Sequence, residues 1–345
     1  MFYCGLDVAM VSSYLHVSDE KGKRLMSGPV ATQRCALERR LGRFVPDGLK
    51  VAIEAGNQTA WLHEALTGMG ADVTVVNPAR VKLIAESRRK TDKIDAKILC
   101  ELLRLDGLPC PVHMPCRRTR QLRGLLAARR KLVSARTKLC NVVRGVLRQE
   151  GIRLPARGLS ARTGWDRLIV RQYRHAHLQP ILRAYYLSFQ ALSESLKDLD
   201  GELARYEKED PRAARLKTMP GVGRIAALTF LGAVDEIGRF SSSRKLVSYS
   251  GLCPRVRSSG ERTEYGPISR QGRSELRAVW VQVAHRVAHD ERMKAGPLRE
   301  WFWRVAGRRG KKTATVALTR KLLTIAYHLL KYEQDYKASR LNRAA

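Results

Sequence analysis

No stretch of this 345-residue chain approaches the ~18 consecutive apolar residues of a membrane-spanning helix, and no basic-then-apolar segment opens it. Neither a membrane role nor a secretory leader is expected. The seven cysteines are an odd number and include no C-x-x-C pair, which argues against a zinc site and against a disulfide framework. Reduced thiols in a cytoplasm are the expectation, and the Cys110/Cys116 spacing around a proline-rich turn is read as chance. Negative charge is scarce: 32 Asp and Glu stand against 65 Lys and Arg, a formal charge of +33. The basic excess is spread along the chain rather than gathered in one tail, which favours a polyanionic partner, nucleic acid first, over a membrane surface. A hydrophobic content of 44% and this length fit a soluble globular protein of two or three domains.

Against that basic background four carboxylates stand out. Asp7 ends the apolar run from Phe2 to Leu6, and Glu54 ends the run from Leu49 to Ile53, so each reads as the last residue of a buried strand. Asp92 and Asp95 sit three apart at the start of a helical pattern, on one face. Two divalent ions about 4 Å apart stabilise both the attacking and the leaving oxygen of a phosphodiester displacement, and they need several carboxylates on rigid elements. The four residues suit a Mg2+ site, of two metals on this chemistry, with Asp7 as the natural bridging ligand; Lys90 and Lys93 are either phosphate-steering or solvated helix-end charges.

Residues 1 to about 106 alternate strand and helix signals. Three antiparallel strands are expected, the second and third joined by a turn at Asp19 to Gly22, followed by a helix from about Thr32 to Phe44 and the strand ending at Glu54. A helix carrying Trp61, Leu62 and Leu66 and a strand from Asp72 to Val76, stopping at Asn77 and Pro78, complete the pattern. A three-strand meander followed by βαβα is the order of an RNase H-like fold, which would bring the four acidic positions together.

Pro109, Pro111 and Pro115 mark a linker. From Arg117 to Arg148 there are eleven basic residues and no acidic one, with Leu122, Leu125, Leu132, Leu139, Val143 and Val146 on a helical face; Arg129, Arg130 and Lys131 lie on the expected nucleic-acid stripe. A second long helix from about Leu182 to Tyr206 has near-heptad leucines, and the pair reads as an antiparallel coiled-coil arm or a dimer contact, the former preferred. Residues 151–177 between them are an Arg-rich loop assigned to RNA or DNA contacts.

Met219 to Leu228 reads as the turn and second helix of a helix-hairpin-helix, with Gly221 and Gly223 letting backbone amides approach a phosphate. A polar loop with Ser258, Ser259 and Gly260 follows, then helices around Ser274 to His289, Leu298 to Val305 and Thr313 to Tyr332. The run Arg308-Arg-Gly-Lys-Lys312, with Lys311 and Lys312, reads as a phosphate clamp at the mouth of the last one. The expected division is an RNase H-like domain over 1–108, a basic helical connector over 109–212, a mostly helical domain over 213–335 and a tail over 336–345.

The segments Gly5 to Asp7, Ile53 to Ala55, Val76 to Pro78, Lys90 to Ala96, Pro220 to Gly223, Gly251 to Arg255 and Ser259-Gly260 appear in an order that resembles the DEDD insertion-sequence transposases. That group includes the Piv pilin-gene invertase and the bridge-RNA-guided recombinases. The resemblance implies an RNase H-like (RuvC-like) N-terminal domain, a coiled-coil connection and a C-terminal transposase domain carrying a nucleophilic serine. By motif position that serine is Ser259, with Ser258 its nearest rival and Arg255 and Arg257 close enough in sequence to stabilise charge on phosphate. The resemblance also implies DNA partners at element ends and target, a noncoding guide RNA, dimers assembling into a tetramer in which one subunit's tetrad faces another's serine, and a bacterial cytoplasm. Two departures are visible: Asp7 is followed by Val, Ala and Met rather than an early Lys, and the family's Glu-Ala-Thr-Gly appears as Glu54-Ala-Gly-Asn57.

The residues alone leave two rivals open. One is a RuvC-like junction nuclease in which water attacks and Ser259 is a loop residue. The other is a non-catalytic nucleic-acid-binding protein whose carboxylates are structural.

Overall fold

A computed structural model describes residues 1–84, 91–171, 176–259, 262–293 and 296–337, in two compact units, Met1–Pro115 and Cys116–Ala345. In the first unit, strands β1 (Phe2–Asp7), β2 (Ser12–Asp19), β3 (Arg24–Ala31), β4 (Leu49–Glu54) and β5 (Asp72–Val76) form one sheet in the order β3-β2-β1-β4-β5. The meander β1-β2-β3 is antiparallel, while β4 and β5 run parallel to β1 and to each other. Gly22, at φ +82°, closes the β2–β3 turn expected at Asp19 to Gly22. Strand alternation sorts the sheet residues: Cys4, Leu6, Val51 and Ile53 join α1 (Arg34–Leu41) and α2 (Thr59–Gly68) in one core, while Ala52 and Val76 join Val81 and Leu99 in a second. Val81 belongs to α3 (Pro78–Ile84) and Leu99 to α4 (Asp92–Arg104).

Helix α3 is absent from the sequence expectation, which treats Pro78 as a stop. Proline at a helix's first position sacrifices only an N–H that has no partner anyway, so it begins the helix instead. Part of the proline-rich segment is also fixed in place: Val112 N–H donates to the Val75 carbonyl at 2.7 Å, and Val112 and Met114 pack against the first core.

The second unit opens with α5 (Arg117–Gln149) and α7 (Gln179–Glu209). Arg118 pairs with Glu209 and Arg129 with Asp200, while Arg136 lies over Phe189, so the partners descend along α7 as they rise along α5. The pair is an antiparallel hairpin within one chain. At its far end α6 (Arg162–Arg171) inserts the fully buried Trp165 among Cys140, Val143, Leu147, Leu182 and Phe189. Part of the segment read as a loop for nucleic acid is therefore a packed helix.

The remainder is α8 (Pro211–Lys217), α9 (Arg224–Val234), α10 (Ser243–Tyr249), the antiparallel ribbon β6 (Pro254–Ser259) and β7 (Arg262–Ile268), α11 (Ser274–His289), α12 (Gly296–Arg309) and α13 (Lys311–Lys331). Every residue of α9 from Ala226 to Val234 is buried, and Trp280 of α11 donates to the Ala226 carbonyl at 3.3 Å. Among the described residues no helix is long and apolar enough to cross a membrane.

Candidate functional sites

In the first unit, β1 and β4 are parallel neighbours, with Leu6 opposite Ile53. Asp7 and Glu54 each follow by one residue, so they stand side by side at the carboxyl ends of adjacent strands. Both share strand parity with Gly5 and Ala52, which places them on the sheet face covered by α4. Gly5 is what lets α4 come so close: a Cβ built on it would stand 2.0 Å from the Ala96 carbonyl oxygen and 2.5 Å from Cys100 N. Cys100 Sγ also lies 3.2 Å from the Tyr3 carbonyl. As β1 rises from Tyr3 to Asp7, α4 therefore descends in number from Cys100 toward Asp92. Two strand residues beyond Gly5 advance about 6.7 Å, and four helix residues before Ala96 advance about 6 Å. Asp7 and Asp92 are brought to the same level.

The Thr91 hydroxyl caps α4 by accepting from Ile94 N–H at 3.3 Å, and Asp92 and Asp95 occupy its first turn, where the helix dipole favours negative charge. Asp95 is half-buried and Asp92 exposed. Lys93 is exposed beside them, and Lys90 lies outside the described residues.

Three elements, β1, β4 and α4, thus carry the four carboxylates toward the same end of the sheet. Their all-oxygen donor set suits a hard divalent cation such as Mg2+. Among the described residues, however, no three His, Cys, Asp or Glu side chains form a group able to hold a metal ion. Nearby, burial raises the pKa of the Cys100 thiol, and Cys4 is pushed up in the same way, so neither is a thiolate nucleophile.

The second unit places Ser259 differently from the polar loop expected. It is the last residue of β6, opposite Arg262, and Gly260 lies outside the described residues. Ser258 pairs with Thr263, their hydroxyls 3.2 Å apart, whereas Ser259 falls on the other face of the ribbon, the face of Arg257. Arg255, Arg257, Ser258 and Ser259 are all exposed. This segment reads as a loop from sequence because a strand exposed on both faces has no apolar alternation.

Residues missed in the sequence hold the ribbon's base. Arg277 donates to the Ser250 carbonyl at 2.9 Å, Arg270 N–H to the Gly251 carbonyl at 3.0 Å and Ser269 N–H to the Cys253 carbonyl at 2.7 Å. Gly251 has φ +72°, and a Cβ on Gly272 would stand 2.1 Å from the Tyr249 carbonyl oxygen. These two glycines are the signal that marks the base. Beneath it, burial would raise the Tyr249 pKa, but Arg273, donating to the phenol oxygen at 3.0 Å, and the adjacent Arg239 bring it below its usual value.

Several expected nucleic-acid contacts have other partners. Arg129 is half-buried and bound to Asp200 at 2.6 Å, and Arg130 lies 3.7 Å from Glu275; Lys131 is exposed. Gly221, at φ +80°, is buried, and a Cβ built on it would stand 2.9 Å from Val287 Cγ2, so its small size serves packing against α11. Gly223, by contrast, is exposed at the N-cap of α9. Lys311 lies over the Trp303 ring at 5.4 Å, and Lys312 is exposed at the start of α13.

Residues 213–296 match a family model described as Transposase IS116/IS110/IS902 family, and residues 4–151 match a DEDD model described as Transposase. The chain is 29% identical over 293 residues to a Coxiella burnetii protein named transposase for insertion sequence element IS1111A, covering 83% of this chain and 79% of that protein. It is 27% identical over 329 residues to the transposase for insertion sequence element IS1328 of Yersinia enterocolitica, covering 94% and 95%. A pilin gene-inverting protein of Moraxella bovis is 30% identical over 151 residues, 42% of this chain and 46% of that protein.

Proposed function

The chain belongs to the DEDD transposases of the IS110 and IS116 group and is a DNA transposase, and from that premise we propose that Ser259 is the nucleophile that attacks the scissile phosphate. The observation that carries this reading is the division of labour within the serine pair. Ser258 is tied to Thr263, while the Ser259 hydroxyl stands exposed at the end of a strand on the same face as Arg257.

In the proposed step the Ser259 Oγ–P bond forms as a bridging P–O bond of the DNA breaks. The serine loses its proton and the departing sugar oxygen gains one. The resulting phosphoserine ester keeps the energy of the broken diester, so a second DNA end can be joined without an external energy source. Arg257 and Arg255 stabilise charge on the phosphoryl oxygens. Asp7, Glu54, Asp92 and Asp95 would hold Mg2+, whose chemistry is charge neutralisation at the attacked phosphate and activation of the attacking oxygen. A two-metal arrangement, a noncoding guide RNA that selects donor and target, and assembly of dimers into a tetramer belong to the same proposal. The exposed Lys131, Gly223, Lys311 and Lys312 are its phosphate contacts.

The test is covalent. With Mg2+ and element-end DNA, the wild-type protein should form a protein–DNA adduct that resists denaturation, and Ser259→Ala should form none while still binding DNA. Metal-dependent hydrolysis without an adduct would instead support the water-using nuclease.

A further inference from the structure

A cleft of about 550 Å3 lies between α5, α9 and α11, within the second unit. Its walls are apolar: Leu126 comes from α5, Ile225 from α9 and Val279 from α11, and each is only partly buried against the core. Four arginines line it as well, Arg123, Arg129, Arg130 and Arg273, against the one acid Glu275. Two of the four already have carboxylate partners, Arg129 in Asp200 at 2.6 Å and Arg130 in Glu275 at 3.7 Å. The excess positive charge belongs to Arg123 and Arg273.

Those two are held close together. Arg123 donates to the Ala233 carbonyl at 3.2 Å, the Tyr249 hydroxyl donates to the same carbonyl at 3.3 Å, and Arg273 Nε donates to the Tyr249 oxygen at 3.0 Å. Burial, and after it the charge of Arg273, lowers the Arg123 pKa to about 10. Arg123 and Arg239 are engaged by the carbonyls that end α9, where the helix dipole favours cations. Arg273 is engaged less: among the described residues its two terminal nitrogens have no hydrogen-bond partner. A half-buried guanidinium fork thus stands beside a second cation on the lining of an apolar cleft.

We propose that this cleft takes one unstacked nucleotide of a DNA strand, its base against Leu126, Ile225 and Val279 and its phosphate on Arg273 and Arg123. The volume falls within the ~300–1,000 Å3 of ligand clefts, and an apolar lining with a few convergent polar groups is the lining such clefts have. The guanidinium fork suits phosphate, which it can bind through two parallel N–H···O bonds. A second copy of this protein is the poorer occupant, because a chain of charge +33 repels its own kind while a DNA strand carries the complementary sign. The charge that selects the occupant lines the same cleft as the apolar walls. A base held there is out of the duplex stack, so the cleft would hold a strand that has been opened.

The inference rests on the chain's membership of the DNA transposases and on neither Ser259 nor the carboxylates. A short single-stranded oligothymidylate carrying fluorescein and one 4-thiothymidine is bound to full-length protein, its affinity is measured by anisotropy, and the photocrosslinked peptide is mapped. Crosslinks should fall on the stretches of α5, α9 and α11 that line the cleft. Arg273→Gln should weaken binding and reduce the slope of log K against log salt by about 0.7, the share of one single-strand phosphate. Ala278, exposed on the cleft lining, offers a second variant that changes no charge. Ala278→Phe fills the cleft and should weaken binding about tenfold or more, with thermal denaturation showing both variants folded. Four outcomes would each overturn the proposal: crosslinks confined to other segments, wild-type affinity in Ala278→Phe, an unchanged salt slope in Arg273→Gln, or tighter binding of the corresponding oligouridylate. None of these measurements requires cleavage, so failure here leaves the Ser259 assignment standing, and an absent covalent adduct leaves the cleft standing.

Discussion

Gly5 on β1 faces the carbonyl oxygen of Ala96 on α4 at a separation that leaves no room for a methyl group: a Cβ there would stand 2.0 Å away. That contact sets the height of α4 against β1 and so brings Asp92 and Asp95 to the end of the strand that carries Asp7. Gly5→Ala should force the helix outward, at the ~1–3 kcal/mol usual for overpacking. Thermal denaturation should show the loss, and the folded fraction should bind nucleic acid but cleave far more slowly. Wild-type cleavage by a stable Gly5→Ala protein would separate α4 from the site.

Asp7→Asn and Glu54→Gln preserve side-chain volume and remove one charge each. DNA cleavage at fixed Mg2+ should fall at least ~100-fold, with binding measured by anisotropy little changed. Asp92→Asn and Asp95→Asn should also lose activity, unequally if one of them meets metal through water. If all four variants kept wild-type rate and wild-type Mg2+ dependence, the carboxylate site would be structural.

Arg129 and Lys131 should behave differently although they lie two residues apart. Arg129→Gln breaks a partly exposed ion pair with Asp200 and should cost ~0.2–1 kcal/mol of stability without altering the salt dependence of DNA binding. Lys131→Gln should leave stability intact and reduce the slope of log K against log salt by about 0.9. The reverse pattern would place Arg129 on the phosphate.

Asp210 joins α7 to α8. Burial would raise its pKa, but the Arg212 guanidinium and backbone N–H that it accepts hold it below the usual carboxylate range. A lowered folded-state value means that the ionised carboxylate stabilises the protein above the ordinary pKa of ~3.9, and that this contribution is lost as pH falls through the folded value. Asp210→Asn, which keeps a capping oxygen, should therefore be less stable than wild type at neutral pH, with the gap closing below about pH 4. A gap independent of pH would mean that the charge contributes nothing.

The sheet was legible in the sequence because its strands are apolar runs ending in charged or turn residues, and Asp7 and Glu54 stand where buried runs stop. The long helices were legible from their leucine spacing. What escaped was set by partners distant in sequence. Nothing local to Arg129 reveals Asp200, and nothing beside Gly221 reveals Val287. Trp165 makes sense of α6 only with Phe189 and Val143 around it. The ribbon was hidden for the opposite reason: Arg257, Ser258 and Ser259 face solvent, so burial leaves no periodic mark on them.

The assignment of chemistry to Ser259 is tested most directly by trapping. A suicide DNA substrate that cannot rejoin its ends is incubated with wild-type protein and Mg2+, and the adduct is digested and its phosphorylated residue mapped by mass spectrometry. The phosphate should be on Ser259; a phosphate on Ser258, or complete cleavage with no phosphoserine anywhere in the chain, would contradict it.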